Sequence, residues 1–364
     1  MRWLRSDTVK IILITVAMFA VMEGIVRLLG LGQDDALPTT AATSDYSLER
    51  VHGDDWEDYL IVGQEQSTSS VYSPFVEYTS GPRDGQFVTV TDDGIRCQST
   101  AKVDCGVNGG TGEVWVFGGS TTFGYGVKND ETIPAYLNRL LPDHNVINFG
   151  VASYYSTVER IKFFNLLTQY DPPAAAVFVD GLNDFYYHQI PDVSGASDKL
   201  RNVFELPDHL RTLAKLDKFA RQSALVSMIL DAVRGDAAEV LIEQRSDAVL
   251  QRIIRRLERN TAMRNAVGAQ MGIQIVNILQ PVPLFGVGHA TSFVPESFLN
   301  FKDHANSGRG YELIHEGSAL LDDPTVVNLA DLTPEGQMYV DTVHYHPEVN
   351  AQIARAIFDQ LRLD

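Results

Sequence analysis

Short apolar runs, each stopped by a glycine or a polar turn and separated by stretches of helical spacing, constrain this 364-residue chain most. Val114-Trp115-Val116-Phe117 ends in Gly118-Gly119-Ser120, and Val146-Ile147-Asn148-Phe149 ends in Gly150. Ala174 to Val179 ends at Asp180-Gly181, and Ile273 to Leu279 is closed by Pro281. Val326-Val327-Asn328-Leu329 is a candidate fifth run. Helical spacing fills residues 131–141 and 157–170, with a closing helix over Val349 to Leu363. Strands apolar on both faces that alternate with helices predict a parallel sheet covered on both sides. The alternation breaks at residues 195–258, which read as a charged helical insertion, and at 284–322, which read as loop. The insertion follows a strand end, so it is either a cap over the cleft or a peripheral helical pair.

The N-terminus reads differently. Ile11 to Met22 is uncharged, is preceded by Arg2, Arg5 and Lys10, and continues as apolar sequence to Gly32. Twenty-two residues suffice for a helix to cross the hydrocarbon, and Glu23 and Arg27 pair at i,i+4 near its far end. A signal anchor over residues 1–32 is the expectation, with a cleaved signal peptide and a buried helix as the other readings. Either of the first two places residues 33–364 outside the cytoplasm, with lipid as a partner of the anchor. There Cys97 and Cys105 could close a short disulfide; free thiols are the alternative.

Residues 33–70 are acidic and rich in Ser, Thr and Ala and read as a tether, ordered at most near Trp56, Tyr59, Leu60 and Ile61. Residues 71–112 alternate weakly and read as a small β-rich preface. The domain proper is expected over 113–364. The net charge of −18, from 29 basic and 47 acidic residues, repels phosphate backbones and excludes nucleic acid as a natural partner. Two cysteines are too few for a cysteine-based zinc site.

In an open parallel sheet, chemistry collects at the carboxyl ends of the strands. Ser120 stands there between strand and helix, as a nucleophile or as a helix cap. Gly150 would let a backbone N–H approach a ligand. Asn183, in Asp180-Gly181-Leu182-Asn183-Asp184, could donate to an oxyanion, although Asn, Asp and Gly also simply make turns. Asp341-Thr342-Val343-His344 offers a base with an orienting carboxylate, and His346 is its rival. Trp115 and Phe117 read as core. Tyr154, Tyr155, Phe185, Tyr186 and Tyr187 follow the turns and either stack on a sugar or pack.

Together these four blocks, in this order, resemble the SGNH/GDSL hydrolase superfamily. Gly118-Gly119-Ser120 resembles its nucleophile block, with Gly119 where Asp is usual. Gly150 matches the second block, Gly181-Leu182-Asn183-Asp184 the Gly-x-Asn-Asp block, and Asp341 to His344 the Asp-x-x-His block, which selects His344 over His346. Val349-Asn350 departs from the Gly-Asn that often opens the last helix. The resemblance implies a three-layer α/β/α flavodoxin-like fold. It implies Ser120, His344 and Asp341 as a triad, with Ser120, Gly150 and Asn183 forming the oxyanion hole and no metal or cofactor. It implies an ester or O-acylated glycan as substrate, in the envelope or outside the cell. O-acetyl transfer in exopolysaccharide assembly would use the same residues, and an inactive scaffold would keep the fold without turnover.

Overall fold

The computed structural model describes Met18, Val21, Met22 and residues 48–66, 70–99, 105–186, 246–286, 304–334 and 336–363. The chain divides into two compact units. One comprises Met1–Ala42 with Asp198–Glu243, of which only Met18, Val21 and Met22, all helical, are described. Most of the expected anchor over 1–32 and most of the 195–258 insertion thus lie outside the described residues. No helix among the described residues is long and apolar enough to cross a membrane. The other unit, Thr43–Ser197 with Gln244–Asp364, carries the sheet and the candidate site.

It opens with helices α1 (Leu48–His52) and α2 (Trp56–Gln66), joined by a 3₁₀ turn. Residues 48–66 are therefore not tether: Tyr59, Val62 and Gln66 are buried, and Tyr59 and Val62 join a cluster with Val88, Val90 and Phe123. The helical spacing of this segment is weak, and what orders it is the surface it covers. A hairpin follows, β1 (Ser70–Ser73) with β2 (Glu77–Ser80), then the two-residue pair β3 (Arg83–Asp84) and β4 (Thr89–Val90). Arg96 bridges from this region to Asn148 at the edge of the main sheet. Cys97 and Cys105 are bonded to each other and buried.

The main sheet has five parallel strands: β5 (Glu113–Gly118), β6 (Asn145–Asn148), β7 (Ala175–Asp180), β8 (Gln274–Leu279) and β9 (Val326–Asn328). Their order is β6-β5-β7-β8-β9. The first crossover thus goes to one side and the later ones to the other, which leaves a switch point between β5 and β7 at their carboxyl ends. The strands carry side chains alternately to two cores. Val114, Val116, Val177 and Val179 meet α4 (Ile133–Leu140) and the closing helix, through Leu137, Ile353 and Ile357. Trp115, Phe117, Ile147 and Phe178 meet Phe163 of α5 (Ser156–Leu166) on the opposite face.

Two sequence expectations change here. Asp247–Met271 forms a single 25-residue helix, α7, with Leu250, Ile253, Ile254 and Leu257 buried, so residues 247–258 belong to the domain and not to the insertion. Its buried apolar positions end at Leu257, and the buried face then continues through Asn260, Thr261 and Arg264, so the apolar spacing stops where the sequence reading ended the insertion although the helix does not. Within 284–322, Ser307–Gly317 forms α8, followed by a 3₁₀ turn over Ala319–Asp322. Glycines at 308 and 310 weaken the helical signal, yet Gly310 packs directly on the Phe185 ring, where a side chain would not fit. The closing helix, α9, spans Pro347–Gln360, with proline in its first turn.

Candidate active site

β5 delivers Ser120 to the first position of the short helix α3 (Ser120–Phe123). As the first helical residue, its N–H has no acceptor within the helix. Two glycines make the approach feasible. A Cβ on Gly119 would collide with the Asn183 amide, and one on Gly150 with the Phe123 backbone. The glycine at 119 is therefore what admits the Asn183 side chain against the turn that carries Ser120. Asn183 lies in α6 (Leu182–Tyr186) and donates one amide hydrogen to the Tyr154 carbonyl, at 2.8 Å. Its second amide hydrogen is not used in that bond.

Gly150 behaves otherwise than expected. Its N–H donates to the side-chain oxygen of Asn148, at 2.9 Å, and the Asn148 amide in turn donates to the Thr122 carbonyl. Gly150 here provides close packing, and its N–H is already engaged. The Ser120 N–H and the second amide hydrogen of Asn183 are not engaged in this way.

Asp341 organises the histidine loop. Oδ1 accepts the N–H groups of Val343 and His344 at 2.9 and 2.8 Å, and Oδ2 lies 2.6 Å from His344 Nδ1. Burial pushes this carboxyl upward, but the neighbouring His344 and the three hydrogen bonds outweigh that and hold it below the ordinary carboxylate range. With Nδ1–H directed at Asp341, His344 Nε2 carries the lone pair. That nitrogen is buried and has no hydrogen-bond partner. The tautomer is inferred from this pairing.

The loops of Ser120 and His344 meet at Gln280, just after β8. Thr121, next to Ser120, donates to Gln280 Oε1 at 2.8 Å. Tyr345, next to His344, has its hydroxyl 3.2 Å from the same oxygen and donates to the Pro281 carbonyl at 2.6 Å. Tyr311 of α8 donates to the Gln280 carbonyl. Tyr125, whose N–H bonds the Ser120 carbonyl, stacks on the His344 ring at 5.3 Å. His346 lies elsewhere in the loop's surroundings: its ring faces His52 at 6.1 Å and bonds the Val51 backbone.

The sequence reading missed Gln280, Tyr125 and His304. The first two carry no motif; their roles come from packing between distant segments. His304 is an isolated histidine in a stretch read as loop. Burial and the charge of His344 lower it to about 4, against Asp341 and a hydrogen bond at the Leu182 backbone, so it is neutral at pH 7. Its ring packs on Tyr186. Of the aromatics left open between stacking on a sugar and packing, Tyr154, Tyr155 and Phe185 are buried in the packing. Tyr187 lies outside the described residues.

Behind Asn183 lies a buried polar network. Ser156 donates to Asp184 at 2.5 Å, Asn260 of α7 donates to Ser156 and Thr157, and Arg264 pairs with Asp180 at 2.6 Å. Asp184 is more than a turn residue: burial and the neighbouring Asp180 raise its carboxyl to about 6. Burial and the same Asp180 also push Glu159 well up. Among the described residues no group of histidines, cysteines and carboxylates could hold a metal ion.

No protein-family model and no curated protein matches the chain. Solved structures similar to it include an acetyl xylan esterase (AlAXEase), 11% identical with TM-score 0.39, matching 69% of this chain and 100% of that one. A carbohydrate acetylesterase, Est24 from Sinorhizobium meliloti, is 13% identical with TM-score 0.38 over 68% of this chain and 97% of its own. A member of the lipolytic protein G-D-S-L family from Veillonella parvula is 14% identical with TM-score 0.37 over 68% and 99%. A fold hosts many functions, and what this one does is decided by the chemistry of its site.

Proposed function

We propose that the chain is an SGNH/GDSL-type serine ester hydrolase with Ser120 as nucleophile, His344 as base and Asp341 as the group that orients the imidazole. The observation that carries this reading is the Asp341–His344 pair, which points Nδ1 at a carboxylate and leaves Nε2 buried without a partner. Ser120 Oγ attacks the ester carbonyl while His344 Nε2 takes its proton. The tetrahedral oxyanion is met by the Ser120 N–H and the free amide hydrogen of Asn183. The imidazolium then returns the proton to the leaving alcohol. Water, activated by the same histidine, releases the acid and restores Ser120. An acceptor hydroxyl in place of water would make the reaction an O-acyl transfer. The disulfide supports a location outside the cytoplasm, where such bonds persist.

Fluorophosphonate labelling tests the assignment. The wild-type protein labels at Ser120, Ser120→Ala does not, and esterase kcat in that variant falls by roughly 10⁵- to 10⁶-fold with an unchanged circular dichroism spectrum. Labelling of Ser120→Ala at wild-type rate refutes the mechanism. A panel of simple acyl esters and O-acetylated glycans, with and without an acceptor hydroxyl, reads substrate class and hydrolysis against transfer.

A further inference from the structure

A cavity of about 430 Å³ lies between the β1–β2 hairpin, the Asp93–Ile95 turn and the C-terminal end of α5. Its lining includes none of Ser120, Asn183, Asp341 or His344. Lys162 of α5 is on its wall and is only 9% exposed. The sole hydrogen bond of its ammonium is a long one, 3.5 Å to the Phe149 carbonyl, while the rings of Phe149 and Tyr154 lie 5.2 and 5.5 Å away. An ammonium has three hydrogens to place, and a buried one with so little pairing is costly. Burial lowers it to about 8, and Glu159 on the same helix opposes that shift.

Two further observations point to an occupant. Thr79, on the same wall, has a buried hydroxyl with no hydrogen-bond partner. The hairpin tip holds Phe75 and Glu77 at φ of +68° and +71°, which costs about 1 kcal/mol or more for each side chain. That backbone leaves Phe75 79% exposed at the cavity mouth. Exposing a phenylalanine on a strained turn gains nothing for folding, but it does provide an apolar flank to something entering.

We propose that this cavity binds a monocarboxylate with an apolar body, its carboxylate on Lys162 and Thr79 and its body against Phe75, Leu166 and Tyr170. One ammonium matches a single negative charge. The Asp93 carboxylate in the lining and the net charge of −18 disfavour a phosphate dianion.

The full-length protein titrated with octanoate, octanamide and inorganic phosphate in a calorimeter tests this. Octanoate binds about tenfold or more tightly than octanamide, and Lys162→Met removes the difference. Thr79→Val weakens octanoate several-fold, and both variants keep fluorophosphonate labelling at Ser120. Methionine replaces a buried cation by an apolar chain of similar length, a change that folds tolerate. Equal octanoate affinity in Lys162→Met, as expected for binding in the Ser120 cleft, overturns the proposal, as does a preference for phosphate. If Lys162→Met does not fold, the wild-type comparison and Thr79→Val decide. Failure of wild type to distinguish octanoate from octanamide then overturns it.

Discussion

At the scale of single residues, the site is a matter of which polar groups have partners. His344 and His346 are two positions apart, yet only His344 has a carboxylate on Nδ1 and a bare Nε2. His344→Ala therefore lowers esterase kcat to nearly the level of Ser120→Ala, whereas His346→Ala changes kcat several-fold at most. Its cost appears as a lower Tm, since it packs on His52 and the Val51 backbone. Asp184 gives a pH prediction. Its carboxyl is raised to about 6, so the folded protein binds this proton more tightly than the unfolded chain does. The stabilisation is full below the ordinary carboxylate pKa and is lost as pH rises through about 6. Asp184→Asn keeps an acceptor for Ser156 and has no charge to bury. Its Tm relative to wild type therefore increases between about pH 4 and pH 7. A difference that is flat with pH shows that the proton is held elsewhere in the Asp180–Glu159–Asp184 group.

At the scale of elements, the segments before residue 113 support the loop after Ser120 from behind. Gln66, at the end of α2, donates to the carbonyls of Gly124 and Val127 and accepts from the Gly126 N–H. Arg96 is fully buried and donates to the carbonyls of Phe123, Gly124 and Val127 and to Asn129. These contacts fix residues 123–129, and with them Tyr125 on the face of His344. Gln66→Leu leaves the Gly126 N–H without an acceptor, while Arg96 still donates to the carbonyls of Gly124 and Val127, and it costs about 2 kcal/mol. Because Tyr125 loses its support, kcat falls more than KM rises, which steady-state kinetics with a soluble ester reads directly. An unchanged kcat with a lowered Tm shows that α2 supports the fold without positioning the histidine.

At the scale of the whole molecule, the chain joins the α/β domain that carries Ser120 and His344 to an N-terminal segment with the pattern of a signal anchor. A reporter that works only outside the cytoplasm, fused after Asp364, is expected to be active, and a cytoplasmic reporter at the same point silent. The reverse pattern refutes the orientation and leaves the Cys97–Cys105 bond in a reducing compartment. There its contribution, about 2.5 kcal/mol for so short a loop, would be lost. The 187–245 segment leaves from α6, beside Asn183, and returns at α7. Replacing residues 200–245 with a Gly/Ser linker changes the preference between short and long acyl esters if the segment caps the cleft. If it is peripheral, the preference is untouched.

The strands were legible because a sheet covered on both faces needs uninterrupted apolar runs, and Val114 to Phe117 and Ala174 to Val179 are such runs. Ser120, Asn183, Asp341 and His344 stood out as candidates because each lies at a strand end or just before the last helix, and the resemblance to the four SGNH/GDSL blocks singled them out from ordinary turn and cap residues. Helix α2 was not legible, since its residues gain order only from the Val88–Phe123 surface they cover, far along the sequence. The same holds for Gln280, whose one side-chain oxygen ties the loops of Ser120 and His344, and for Tyr125 on the imidazole face. The engagement of Gly150 by Asn148 also emerged only in three dimensions: the glycine marked a close approach, and folding decided which group came close. Periodicity and punctuation act over a few residues, and they determined the sheet and the order of the chemical groups. Hydrogen-bond satisfaction across segments is a global condition, and it alone decided which of those groups remain free to react.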